Sequence, residues 1–205
     1  MNLVKKTTMW PVALEREVLP ASLARAGFFG KELVVWRGDD DVIRVWEDHC
    51  PHRSVRLSAG RNLGDSIQCI YHGWRYGKDG TVIEIPALNH EARSDISVNV
   101  MSSAVAGGLV WVTKNGGNCT PDNVQAGNGA VLLRPLPINV DADAARAGLQ
   151  DASDGQLFIT PADENACTVF GYAMARGKES EIETARRCNA QLSRLRRRLE
   201  AGGTT

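Results

Sequence analysis

Cys50-Pro51-His52 is followed, 16 residues later, by Cys69-Ile70-Tyr71-His72-Gly73-Trp74. Each half offers one thiolate and one imidazole. The chain holds only four histidines, at 49, 52, 72 and 90, and five cysteines, so this clustering calls for a chemical reason. Two metal sites use such a set. A [2Fe–2S] cluster needs two protein ligands on each iron, and where imidazoles replace two of the thiolates they share one iron. Cys50 and Cys69 would then hold one iron and His52 and His72 the other, which requires two loops that meet. Structural zinc also takes two Cys and two His, but zinc fingers pair like with like at close spacing, and each close pair here is mixed. The cluster is the better match, with a structural zinc module as the remote alternative.

Two loops held at one tip need a rigid scaffold, and the flanking sequence supplies strands. Leu33-Val34-Val35-Trp36 and Val42-Ile43-Arg44-Val45-Trp46 are β-branched and aromatic runs separated by Gly38-Asp39-Asp40-Asp41, the pattern of a hairpin. Short runs follow at 66–70, 74–76, 81–85, 96–100 and 109–113, with Gly64-Asp65, Asp79-Gly80 and Gly107-Gly108 as turns. Many short strands close together imply an antiparallel sandwich or barrel. Ahead of them, Pro20, Leu23 and Ala24 with Gly27 as a left-handed cap read as a short helix.

From Lys114 to Gly129 the composition turns to Asn, Gly, Pro and Asp, as in a linker, and 130–155 gives no clear pattern. Strands at 156–160 and 167–174 flank Pro161–Asn165, and a helix begins near Lys178. Ile182, Ala185, Cys188, Leu192, Leu195 and Leu199 form one apolar stripe on that helix. Glu179, Glu181 and Glu183 near its start and Arg194, Arg196, Arg197 and Arg198 near its end follow the order the helix dipole favours. The stripe must be covered, by its own domain or by another subunit.

The 24 basic and 24 acidic residues cancel, which argues against a nucleic-acid binder. No run approaches the roughly 20 apolar residues of a membrane span, and Met1 to Lys6 lacks the apolar stretch of a secretory signal. The spread cysteines do not resemble a disulfide framework. A cytoplasmic chain, away from membranes, is the expectation.

The stretches Glu47-Asp48-His49-Cys50-Pro51-His52-Arg53, Leu57-Ser58-Ala59-Gly60, Cys69 to Tyr76, Gly80, Ile85-Pro86 and Gly108 to Val112 carry a resemblance to a known family. It is that of the Rieske domains of bacterial Rieske non-haem iron oxygenases, which hydroxylate rings or remove methyl groups. The resemblance runs from about Trp10 to Thr113 and implies a Rieske-type [2Fe–2S] cluster on Cys50, His52, Cys69 and His72. Ser54 departs from it, standing where the family usually has Gly. In the respiratory type a disulfide ties the two loops, and the corresponding stretches here offer Val55 and Tyr71. That type also places Ser after His-Gly, where this chain has Trp74. Fewer hydrogen bonds to sulfur stabilise the reduced cluster less, so a low potential is expected. His49 reads as a loop residue with a supporting role open to it, His90 as a surface residue, and Cys119, Cys167 and Cys188 as reduced structural thiols. Trp36, Trp46 and Trp111 fit core positions.

The resemblance implies a mainly β fold: a Rieske-type antiparallel sandwich or barrel over 1–115, a linker or irregular segment over 116–155, and a C-terminal β segment plus amphipathic helix over 156–205. That last segment resembles the end of the oxygenase catalytic domain and is a candidate docking element. Oxygenases of this family also hold a mononuclear iron on two histidines and a carboxylate. No histidine follows His90 in this sequence, so that site is not expected here. The expected role is an electron-transfer component that accepts electrons from a reductase or ferredoxin and serves an oxygenase subunit with its own iron, in a homo- or hetero-oligomer. The alternatives are a free-standing Rieske ferredoxin and an internally deleted oxygenase.

Overall fold

The computed structural model of the chain describes residues 2–3, 9–89, 91–114, 116–117, 120–121, 129–149 and 155–202. In chain order the strands of the first half are β1 (Asn2–Leu3), β2 (Met9–Leu14), β3 (Leu23–Phe28), β4 (Lys31–Arg37), β5 (Ile43–Glu47), β6 (Arg61–Asn62), β7 (Ser66–Gln68), β8 (Arg75–Gly77), β9 (Thr81–Ile85), β10 (Glu91–Ser97), β11 (Val100–Met101), β12 (Ser103–Ala106) and β13 (Leu109–Thr113). There follow β14 (Ala130–Leu132), β15 (Leu136–Ile138), α1 (Ala142–Gly148), β16 (Gly155–Pro161), β17 (Cys167–Met174) and α2 (Glu181–Glu200). The architecture is mainly β, as the sequence implies.

β4 is buried on both faces, which is why it reads as a continuous apolar run. Leu33 and Val35 join Ile43, Val45, Val110 and Val112 in one core. Val34 and Trp36 point the other way, into a core with Trp46, Tyr76, Ile67 and Cys50 and Cys69 themselves. Sheet β3-β4-β5-β11 lies between these cores, and sheet β10-β9-β8-β7-β6 closes the second. β4 and β5 form the expected hairpin, from Leu33 opposite Glu47 to Arg37 opposite Ile43.

The helix expected around Leu23 to Gly27 is instead β3, paired with β4 from Leu23 opposite Trp36 to Phe28 opposite Lys31. Its burial alternates with period two: Ala24, Ala26 and Phe28 pack on one core and Leu23 on the other. Sheet pairing outweighs the weak local helix signals. Gly27 is not a cap; a Cβ there would lie 3.1 Å from the Cβ of Ala162. The expected strand at 96–100 is divided between the end of β10 and β11.

The segment 116–155, expected to be irregular, contributes β14, β15 and α1 to a further core. β14 and β15 each pair with β17, contacts that no local pattern announces. β16 and β17 pair from Gly155 opposite Ala173 to Pro161 opposite Cys167. α2 starts at the Ser180 N-cap, where Ser180 and Glu183 make reciprocal capping bonds, and Glu181 and Glu183 occupy its first turn. Its Cys188 and Leu192 are buried against Leu133, Leu157, Val169 and α1, with Leu195 and Leu199 packed alongside. The stripe is therefore covered by the chain itself. Ile182 is off that face and 65% exposed.

The C-terminal sheet is joined to β2 and β13 by a shared cluster of Leu14, Leu109, Trp111, Phe158, Phe170 and Tyr172. Thr160 donates to the Pro11 carbonyl at 2.6 Å, and the Tyr172 hydroxyl to the Gly107 carbonyl at 2.6 Å. Among the described residues no helix is long and apolar enough to cross a membrane.

Candidate metal centre

Two loops leave the second core at one tip. The first runs from the end of β5 through Cys50 and His52 to a 3-10 turn at Leu57–Ala59, and the second links β7 to β8 through Cys69 and His72. They are held together behind the tip, where β6 pairs Arg61 with Gln68. Gly60 is required there, because a Cβ would lie 2.1 Å from the Gln68 carbonyl oxygen.

Each loop closes on its own backbone. The Cys50 N–H donates to the Val55 carbonyl at 2.8 Å and the Ser54 N–H to the Cys50 carbonyl at 2.8 Å. The Cys69 N–H donates to the Trp74 carbonyl at 2.8 Å and the Gly73 N–H to the Cys69 carbonyl at 3.1 Å. Backbone N–H groups of His52 and Arg53 turn toward the Cys50 sulfur, and those of Tyr71 and His72 toward the Cys69 sulfur.

The four candidate ligands are brought together as two pairs. Cys50 and Cys69 are buried, 3% exposed each, and lie close enough to shift one another's titration. His52 and His72 are exposed, with ring centroids 4.7 Å apart. The neighbouring Cys69 thiol and the Tyr76 hydroxyl, 2.9 Å from the Cys50 sulfur, pull Cys50 below the usual thiol range. The neighbouring Cys50 sulfur and burial push the Cys69 thiol up. Burial and the neighbouring sulfur raise Tyr76 as well, so it stays a donor.

This donor set fits a binuclear cluster. A single tetrahedral ion needs its ligands around one point. Among the described residues no three or more His, Cys, Asp or Glu side chains form such a group. A thiol pair and an imidazole pair instead match two irons with two ligands each. The side chains around them hold the pairs in place. The Trp74 indole stacks on the His52 ring at 4.5 Å with planes 3° apart, and Tyr71 packs on His72 at 3.9 Å.

His49 is a loop residue, its Nε2 3.8 Å from the Glu32 carboxylate. Glu32 also holds Arg56 of the first loop, and the Arg56 guanidinium keeps its carboxyl below the usual range. Cys167 and Cys188 lie in the C-terminal core, and Trp36, Trp46 and Trp111 in cores as expected. His90 and Cys119 fall outside the described residues. Sequence reasoning missed two contributors. Tyr76 lies two residues beyond Trp74 and so on the same strand face, a period-two signal that could have found it. Asp48, which accepts from Ser58 N at 2.7 Å and Ser58 Oγ at 2.5 Å, could be found only from the fold.

Residues 8–102 match the family described as Rieske [2Fe-2S] domain. The phthalate 4,5-dioxygenase oxygenase subunit of Pseudomonas putida is 36% identical over 120 residues, which is 56% of this chain and 27% of that protein. Oxidoreductase NdmD of Pseudomonas putida is 31% identical over 116 residues, 55% of this chain and 20% of that protein. The chain thus spans about a quarter of the length of these relatives. Among solved structures, NdmA of Pseudomonas putida CBB5 aligns with a TM-score of 0.75 at 18% identity, over 94% of this chain and 80% of that one. Dicamba monooxygenase aligns with a TM-score of 0.68 at 15% identity, over 94% and 96%. A span of 94% of the chain extends beyond residues 8–102.

Proposed function

Residues 8–102 are a Rieske [2Fe–2S] domain, an electron-transfer module, and from that premise we propose that this chain is the electron-carrying component of a non-haem iron oxygenase system. In this reading Cys50 and Cys69 hold one iron, His52 and His72 the other, and the partners are a reductase or ferredoxin donor and a second chain with a mononuclear iron. When bound, the cluster supplies one-electron redox chemistry. The protein's part is to bury the two thiolates, fix the imidazoles at the surface and limit water around the sulfurs. The observation that carries the reading is the buried thiol pair beneath an exposed imidazole pair, delivered by two loops of one tip. Electrons tunnel best over short distances, and among the described residues the thiol pair is buried while the imidazole pair is exposed to a partner. Ile70, 65% exposed, and Tyr71, 58% exposed, give that side an apolar rim on which a partner can seat.

A free-standing shuttle is the second reading. It is favoured by the covering of the α2 stripe within the chain, which removes that stripe as a dock. Full-length chain should be brown and give a reduced-state Rieske EPR signal. His52→Cys should abolish or change that signal, and an unchanged spectrum would sink the ligand assignment. A component of a two-chain oxygenase gains activity by stable association with the second polypeptide; a shuttle stays monomeric and exchanges electrons without co-purifying.

A further inference from the structure

Among the described residues Asp48 is the one charged side chain buried from solvent, at 0% exposure. It stands two residues before Cys50, so its Cα lies within about 7 Å of that of Cys50 along the chain. Its backbone N–H donates to the Glu32 carbonyl at 2.8 Å, and its two oxygens accept from Ser58 N and Oγ, so it spans the base of the first loop. The nearest counter-charge, Arg25 Nε at 3.9 Å, belongs to a side chain 55% exposed to water. Neutral acceptors close loops of this kind, whereas burying a carboxylate costs several kcal/mol even when hydrogen-bonded. The charge itself therefore calls for a role beyond closure.

We propose that Asp48 is a positioning residue that also sets the potential of the centre. Its buried negative charge, at the base of the loop that carries Cys50, opposes arrival of an electron and holds the potential low, while its two bonds to Ser58 hold the loop. The inference rests on the cluster assignment made above. Reduction makes the centre more negative, and a fixed negative charge in a dry, low-dielectric surround raises the energy of that state. Exposed Arg25 offsets it only in part, because solvent screens its charge.

The test uses the full chain and reads the midpoint potential by EPR-monitored redox titration, together with iron and sulfide per chain. Asp48→Asn, nearly isosteric, should move the potential upward; Arg25→Gln, which removes the offsetting charge, should move it downward. Ser58→Ala, which removes the hydroxyl bond and keeps the charge, should move it less than either. An unmoved potential in Asp48→Asn, or a shift in Ser58→Ala as large as that in Asp48→Asn, overturns the proposal. Should Asp48→Asn not retain its cluster, the Arg25→Gln shift decides, and no downward movement there overturns it. Failure of the unsubstituted chain to show a Rieske signal would instead strike the cluster assignment itself.

Discussion

The two loops of the metal centre have the same backbone and different supports. In each, the Cys sulfur faces N–H groups two and three residues on, the Cys N–H reaches the carbonyl five residues on, and the N–H four residues on returns to the Cys carbonyl. In each, that fourth residue is left-handed: Ser54 at φ 53° and Gly73 at φ 73°. The similarity ends with the side chains. The first loop is tied down by charge, through Asp48 to Ser58 and Arg56 to Glu32. The second offers exposed Ile70 and Tyr71 and sends Trp74 across to clamp the histidine of its partner loop. Backbone geometry presents sulfur in the same way twice, and side chains decide which loop is braced and which meets other molecules.

Removing the cross-loop clamp should have the largest effect. Trp74 is half-buried and packs against the second core as well as on His52. Trp74→Ala should cost about 2–3 kcal/mol of stability in denaturant unfolding, somewhat below the cost for a fully buried aromatic. If the clamp acts across loops, the EPR g-values should shift too, because the ring that loses its stacking partner belongs to the other loop. A stability loss with an unchanged spectrum would confine Trp74 to core packing.

Next comes the left-handed position itself. Gly73→Ala should destabilise by about 2 kcal/mol, since an L-residue is disfavoured at that φ and its Cβ would meet Pro86 Cγ at 3.2 Å. Ser54→Ala, at the equivalent place, should be close to neutral, because a side chain already stands there. Equal costs in the two loops would break the equivalence.

The Tyr76 hydroxyl reaches the Cys50 sulfur, giving the first loop a donor that is drawn from neither loop's backbone. A hydrogen bond to sulfur favours the more negative, reduced state. Tyr76→Phe should therefore lower the potential by about 40 mV, equivalent to about 1 kcal/mol for one electron. An unchanged titration midpoint would show that the hydroxyl serves only to fill the core.

Chemistry that is local in sequence was legible: the two mixed Cys and His pairs, the β4–β5 hairpin, the strands at 156–160 and 167–174, and the capped C-terminal helix. What escaped was decided by distant partners. Pro20 at a first-turn position and Gly27 at a cap position suit a short helix, yet Leu23 to Phe28 becomes a strand because β4 offers an edge to pair with. Residues 130–138 have no apolar rhythm of their own; β17 imposes their strands. The stripe on α2 was visible, but not its cover, which is assembled from β14 to β17 and α1. Expecting few hydrogen bonds to sulfur overlooked Tyr76, whose reach to Cys50 depends on β8 lying under the first loop.

The smallest effect tests the likeness of the loops most directly. Ser54 occupies a conformation that costs a non-glycine residue about 1–2 kcal/mol, and the family usually places Gly there. Ser54→Gly removes that strain but gives the unfolded chain more freedom, which offsets about 0.5–1 kcal/mol. A net gain of about 0.5 kcal/mol should appear as a higher denaturant midpoint, while the potential and EPR spectrum stay as they were, since the Ser54 N–H still reaches the Cys50 carbonyl. Loss of stability would mean that the serine side chain braces the first loop, adding to the asymmetry of supports; a gain with an altered spectrum would mean that the strained backbone itself shapes the first half of the centre.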